Sequence, residues 1–295
     1  VTALKGFVMS ELHREGKTRR LLRCLTFLIS CLLVLLIAGA IVLGLRVENF
    51  KMPGEFGNRA DNIARVQERT DANDFSFVVA GDIRGGMTTF QSMLDAAEKD
   101  RPAFVVILGD LIVRVNEISF KNFAYQLRGY CQKMPMFVVV GNHDFDLDRG
   151  VGIESFEKFY GPCQFSFKIG ENLFIFLNDN YPYCDSGEYV DFLESAILKE
   201  QGKIKKTFVF THVPVMTIDG SLTNNGMTAG GRFMELAKKY NIDYVFSGHL
   251  HEYIRQQKDN TVYIVSGGGG SRLQDVQGKF HHLVRISVKD GQVTE

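Results

Sequence analysis

Residues 75–82 read Phe75-Ser76-Phe77-Val78-Val79-Ala80-Gly81-Asp82: an apolar run that stops at Gly-Asp. The form returns at 104–110 (FVVILGD) and at 136–144 (MFVVVGNHD). Helical periodicity fills 87–100 and 117–131 between these runs. Short apolar runs joined by helices imply βαβ units, and hence a parallel sheet buried on both faces.

Downstream, 163–179 predicts a hairpin turning at Gly170-Glu171-Asn172, followed by a helix over 187–201. Strands are expected at 207–214 (TFVFTHVP) and 244–251 (YVFSGHLH), separated by a helix at 230–240. The tail, 253–295, alternates like antiparallel strands around turns at 258–260 and 290–291. The whole is an α/β chain.

Five of the predicted strands end in polar residues: Asp82, Asp110, Asn142-His143-Asp144, His212, and His249 with His251. In open α/β sheets, ligands bind beyond the carboxyl ends of the strands, so these residues should converge on one rim. Carboxylate, amide oxygen and neutral imidazole are ligands for Mn, Fe and Zn. The remaining histidines, His13, His281 and His282, read as surface or core residues. The run of glycines at 266–271 (SGGGGS) lacks the lysine and spacing of a P-loop and reads as a tight turn near the rim. Asp144, Asp146 and Asp148 alternate like a calcium loop, but the glycine and glutamate of such a loop are missing.

The first quarter of the chain is different. Residues 26–45 carry no charge over a length that spans a bilayer. Residues 1–25 place six basic side chains against two acidic ones, and 46–60 place three against two. The positive-inside rule leaves 1–25 in the cytoplasm as a basic segment and sends the rest across. A cleaved export signal and a buried core helix are the alternatives to this signal anchor. Residues 46–74, polar and with Pro53, Gly54 and Gly57, read as a linker with one short helix near 58–68, leaving 75–295 as the globular domain.

Composition narrows the function classes. The 295 residues are 45% hydrophobic and 23% charged, which excludes a wholly disordered chain. Lys plus Arg and Asp plus Glu are equal at 34 each, so nucleic acid is not an expected partner. The basic run at Lys199, Lys203, Lys205 and Lys206 reads as a solvated face. With 24 Phe and no Trp, phenylalanine must supply the aromatic core. Cys131, Cys163 and Cys184 are the exported cysteines and allow at most one internal disulfide.

Five strings occur in order: GDIR (81–84), GDLIV (109–113), GNHD (141–144), THVP (211–214) and GHLH (248–251). Together they resemble the calcineurin-like metallophosphoesterases of the metallo-dependent phosphatase superfamily, here a membrane-anchored member of bacterial type. The resemblance implies a layered α/β/β/α sandwich and a centre of two divalent or mixed-valence transition metals. It assigns Asp82, Asp110 and His251 to the first metal, and Asp110, Asn142, His212 and His249 to the second. It implies a hydroxide activated by both metals that attacks phosphorus, with His143 at the leaving oxygen and Asp144 orienting His143. The substrate would be a phosphomonoester or phosphodiester, on a small molecule or a lipid, met at the extracytoplasmic membrane surface.

Two departures qualify the resemblance. Where the family commonly has Asp-x-His, this chain has Asp82-Ile83-Arg84. Arginine stays protonated and cannot ligate a metal, so the first site is expected to be weak. Arg84 reads either as a contact to substrate phosphate or as a structural ion pair. Val113 stands where purple acid phosphatases carry a tyrosine ligand. The alternative to an enzyme is a phosphate-binding or sensor module that has lost one metal through Arg84. Substrate choice is expected in the loops 112–130, 145–162 and 179–190.

Overall fold

The computed structural model describes residues 2–180, 182, 187–215, 230–274 and 279–295, with side chains from residue 19 onward. The chain divides into two units, Val1–Phe50 and Lys51–Glu295.

The first unit is a single helix, α1 (Thr2–Glu48). Within it, Arg19–Glu48 is long and apolar enough to cross a membrane, and none of its apolar window is buried. At 1.5 Å per residue these 30 residues reach about 45 Å, more than a bilayer core needs. A spanning anchor and an export signal share this signature.

The second unit begins with α2 (Ala60–Arg69), β1 (Asp74–Ala80), α3 (Met87–Ala97), β2 (Phe104–Ile107), α4 (Glu117–Cys131) and β3 (Met136–Val138). Next come α5 (Ile153–Tyr160), the hairpin β4 (Phe165–Ile169) and β5 (Asn172–Phe176), α6 (Glu188–Lys199), β6 (Lys206–Phe210), α7 (Gly230–Lys239) and β7 (Tyr244–Ser247). The unit closes with β8 (Tyr253–Lys258), β9 (Thr261–Ser266), β10 (Val284–Lys289) and β11 (Gln292–Thr294).

These strands form two sheets, as the family resemblance implies: β11-β10-β1-β2-β3 and β4-β5-β6-β7-β9-β8. The βαβ units are parallel within each sheet, β1 with β2 with β3, and β5 with β6 with β7. Antiparallel strands flank the parallel ones: β10 beside β1 in the first sheet, and β4 beside β5 and β8 beside β9 in the second.

The two-residue period of a strand explains the layering. Phe75, Phe77, Phe104 and Phe137 of the first sheet meet Phe167, Phe174, Phe176, Phe208, Phe210 and Phe246 of the second in one buried cluster. Phe77 lies 5.6 Å from Phe174 and 5.3 Å from Phe208, both edge to face, a favoured aromatic geometry. Phenylalanine thus builds the inter-sheet core, as the composition requires. The alternate residues of the second sheet, Leu173, Ile175, Val209 and Val245, pack with Leu193 of α6 and Phe233 of α7. Helix α4 turns Phe120, Phe123, Ala124 and Leu127 inward, at the spacing of one helical face. The result is an α/β/β/α sandwich.

Residues 51–59, polar enough to read as linker, belong to this unit. Phe56 is fully buried and pairs with Met136 as an extra parallel bridge beside β3. Asn58 is buried as well. Its amide donates to the Val138 carbonyl at 2.7 Å and accepts from the Val138 N–H at 2.9 Å, standing in for a strand neighbour.

Candidate metal centre

Each strand-end residue leaves its sheet through a tight turn. Asp82, Asp110 and His249 hold φ near 60°, 54° and 66°, in the left-handed region that non-glycine residues seldom occupy. Three such positions at one rim are backbone strain gathered at a functional site. Gly109 makes the β2 turn possible: its φ is +90°, and a Cβ there would fall 2.6 Å from His212 Nδ1. A Cβ at Gly248 would meet Asp82 Oδ2 at the same 2.6 Å. The glycine run closes the rim, as Gly269 N–H donates to the Gly81 carbonyl and Ser271 N–H to the Asp82 carbonyl, both at 2.8 Å.

The first sheet supplies Asp82, Asp110, Asn142 and His143; the second supplies His212, His249 and His251. They interlock across the two sheets. Asp82 Oδ2 accepts from the His249 N–H at 2.9 Å. His212 Nε2 lies 2.9 Å and His249 Nδ1 3.0 Å from Asn142 Oδ1. His212 Nε2 is 3.5 Å from Asp110 Oδ1, and His251 Nε2 is 3.5 Å from Asp82 Oδ1. Carbonyl groups hold two of the rings from behind: Leu108 O at 2.7 Å from His212 Nδ1, and Arg272 O at 2.6 Å from His251 Nδ1. Such contacts fix the tautomer and leave Nε2 to face the centre.

The donor set fits a cation. Ligand atoms of Asp82, Asp110 and His251 all lie within 4.8 Å of one another. Asp82 is fully buried, yet its Oδ1 has no hydrogen-bond partner, an expensive state for a carboxylate oxygen unless a cation answers it. The electrostatics are those of a charge-rich buried cluster. Burial raises the Asp82 pKa, against the opposing pull of His251 and His212. Burial and the neighbouring His212 hold His249 down at about 4, so its ring is neutral and free to ligate. The His212 pKa moves up: burial is the largest influence and opposes charging, but Asp110, Asp82 and the Leu108 carbonyl together overcome it.

His143 stands at the mouth, its side chain 47% exposed, with Nε2 3.9 Å from Asp110 Oδ2. Its N–H donates to Asp110 Oδ1 at 3.0 Å. Burial lowers its pKa; the charge of Asp110 opposes this, and the charges of Arg84, His212 and His251 add to the fall. Among the described residues no carboxylate lies within ion-pair distance of Arg84, so the structural ion pair is not found. Val113 is 66% exposed and has no group that could bind a metal.

Among the described residues no hydrogen bond joins Asp144 to the expected partner, His143. Asp144 Oδ1 accepts from the Leu111 N–H and its Oδ2 from the Gly141 N–H, each at 2.8 Å. Both oxygens are used in tying the β3 loop to the β2 loop, because the turn after Asn142 directs the carboxylate inward while His143 points out. The sequence reading missed the counterpart, Asp179, which follows β5. It is fully buried and accepts from the N–H groups of His212 at 2.9 Å and Val213 at 3.0 Å. The signal was present, since LND (177–179) ends an apolar strand in polar residues like the other five. Cys131 and Cys163 are free thiols, and Cys184 lies outside the described residues.

Comparison with known proteins agrees. The rat protein named serine/threonine-protein phosphatase CPPED1 is 29% identical over 208 residues, covering 64% of each chain. The chain therefore spans under two thirds of that relative's length. Among solved structures, a purple acid phosphatase from yellow lupin seeds superposes with a TM-score of 0.61 at 17% identity, over 75% of this chain and 50% of its own. GAP50, titled the anchor in the inner membrane complex of Plasmodium, gives 0.58 at 16%, over 75% and 83%. Such distant likenesses establish the fold alone. Residues 75–253 match the calcineurin-like phosphoesterase family. Since that match takes in more than half of the chain and every residue of the interlocked cluster, the chain is a member of the calcineurin-like phosphoesterase family.

Proposed function

We propose that this chain is a metal-dependent phosphoesterase, tethered to a membrane by α1, with its catalytic unit on the extracytoplasmic side. The observation that carries the reading is the buried Asp82 Oδ1, which accepts no hydrogen bond and is approached only by His251 Nε2 at 3.5 Å, beside Asp110. Asp82, Asp110 and His251 would hold one cation, and Asp110, Asn142, His212 and His249 a second. Bound there, such cations supply an activated water near neutral pH and positive charge for the phosphoryl oxygens.

The chain's own residues do the rest. Asp110 is the carboxylate placed to serve both positions. His143, half exposed and free of Asp144, is the ring available to donate a hydrogen bond to the leaving oxygen. Arg84 takes a phosphoryl oxygen, where its planar guanidinium can donate twice. Its missing imidazole leaves the first position one ligand short. The name of the rat relative adds phosphoserine and phosphothreonine to the substrates worth trying, beside small-molecule and lipid phosphoesters.

The test uses the full chain in detergent, loaded in turn with Mn, Zn and Fe. Phosphate release from p-nitrophenyl phosphate and from its bis ester is expected only with metal, and should stop in chelator. Equal hydrolysis with chelator would end the metal reading. No turnover with any metal would favour the binding-module alternative. A reporter fused after Glu295 should be active outside the cytoplasm, as the basic segment before the span requires.

A further inference from the structure

A cleft of about 530 Å³ opens beside His143 and Asn142, and four charged residues line it: Arg114, Asp146, Asp148 and Arg149. Asp146 and Arg149 answer each other, with Arg149 Nε 3.3 Å from Asp146 Oδ2. Arg114 is exposed on the loop after β2, and among the described residues no carboxylate lies within ion-pair distance of it. Beside it stand Val113 and Leu147, two apolar side chains that are 66% and 47% exposed in the same cleft.

We propose that Arg114 is a specificity residue that reads a second oxyanion on the leaving group, so that the preferred substrates are phosphomonoesters whose leaving group joins an apolar body to a carboxylate or a further phosphate. The inference rests on the function proposed above, because His143 marks this cleft as the leaving-group side. The chemistry follows from the wall. Val113 and Leu147 offer contact area to an apolar body. Arg114 offers a forked donor that suits carboxylate and phosphate oxygens. A charge inside a cleft also draws anions more strongly than one on open surface. Asp148, the remaining charge of the wall, works against an anion and limits the gain. The expected preference is therefore that of an exposed charge pair, roughly twofold to fivefold.

The test compares three aryl phosphates on the metal-loaded full chain: 4-carboxyphenyl, 4-carbamoylphenyl and 4-phosphonooxyphenyl phosphate. Intrinsic reactivity cancels when the anionic-to-carbamoyl ratio of kcat/KM in the parent is divided by that in Arg114→Gln. That quotient should be about two to five, should arise mainly in KM, and should shrink in high salt. Arg114→Lys should restore part of it. Whichever of the carboxylate and phosphate probes shows the larger quotient identifies the oxyanion. A quotient of one for both probes, with all three substrates turned over, would overturn this inference and leave the phosphoesterase reading standing. Failure of the parent on all three while it cleaves the bis ester would overturn this inference alone; failure on the bis ester as well would overturn both.

Discussion

Asp82 and Asp110 sit as deep in the protein as Asp144 and Asp179, yet the two pairs do opposite work. In the second pair both oxygens are occupied by backbone N–H groups, from Leu111 and Gly141 for Asp144 and from His212 and Val213 for Asp179. In the first pair each carboxylate spends one oxygen on a backbone N–H, of His249 or His143, and turns the other toward the rings. Burial alone therefore does not mark a ligand. What marks it is the oxygen left over. Each sheet carries one aspartate that fastens its loops, and the first sheet alone carries the two that remain open.

The sharpest way to test the division is to remove one charge from each pair. Asp110→Asn should lower activity by more than about a hundredfold and empty the centre, since loss of an outer partner alone costs roughly 10–100-fold in metal affinity or activity. Asp179→Asn should retain measurable metal, because its carboxylate faces the backbone. Metal analysis of both variants beside the parent decides it. Equal metal loss would dissolve the distinction between open and fastened aspartates.

Arg84 probes the open pair from the other side. Arg84→Ala should slow phosphoester turnover by about 10–100-fold, the range of a lost charge-assisted contact worth roughly 1.5–3 kcal/mol. Arg84→His should raise metal occupancy at the Asp82 position. Unchanged metal in Arg84→His together with normal turnover in Arg84→Ala would leave Arg84 a bystander.

The unequal legibility of these residues in the sequence has a physical cause. Gly-Asp and Gly-Asn-His-Asp stand out because a strand must stop where its chain turns to the rim, and the turn needs glycine at Gly109. The phenylalanine face was readable from its period of two, at Phe75 and Phe77 and again at Phe174 and Phe176. The division into two sheets came only through the motif resemblance, because a buried parallel strand looks the same in either sheet. The backbone partners of Asp144 were not legible, because adjacency to His143 in the chain says nothing about where a turn sends two successive side chains. Phe56 and Asn58 were hidden in polar surroundings, since one buried phenylalanine and an asparagine that mimics strand pairing leave no periodic trace. Helix α5 did leave one, Ile153, Phe156, Phe159 and Tyr160 on one face, inside a stretch first read as loop.

The fastened pair predicts smaller effects, on stability rather than chemistry. Asp144→Asn keeps one acceptor but leaves a buried N–H without a partner, at a cost of about 1–3 kcal/mol. For a unit of this size that is a fall in Tm of roughly 2–4 °C per kcal/mol. Thermal melts of the chelated parent and variant measure it. A variant as stable as the parent would mean that the β2 and β3 loops are held without this carboxylate.

The pH dependence of that difference is the finest test. Burial raises Asp144 to about 7 and Asp179 to about 6, from 3.8, with the charge of Asp110 adding to the rise at Asp144. A carboxyl raised in the folded state binds a proton there that the unfolded chain has already released. Its stabilising contribution is thus complete below about pH 4 and is lost as pH climbs through the folded value. His249, held down at about 4, slopes the other way, since the folded state resists the proton that the unfolded chain takes up below about 6.5. The Tm of the parent alone therefore mixes both signs, and Asp144→Asn is the proper reference, because it shares the histidines and lacks only the one carboxyl. In metal-free protein the stability gap between parent and Asp144→Asn should be wider at pH 5 than at pH 8. A gap that widened toward pH 8 would mean that the two N–H groups stabilise the ionised carboxylate by more than burial penalises it.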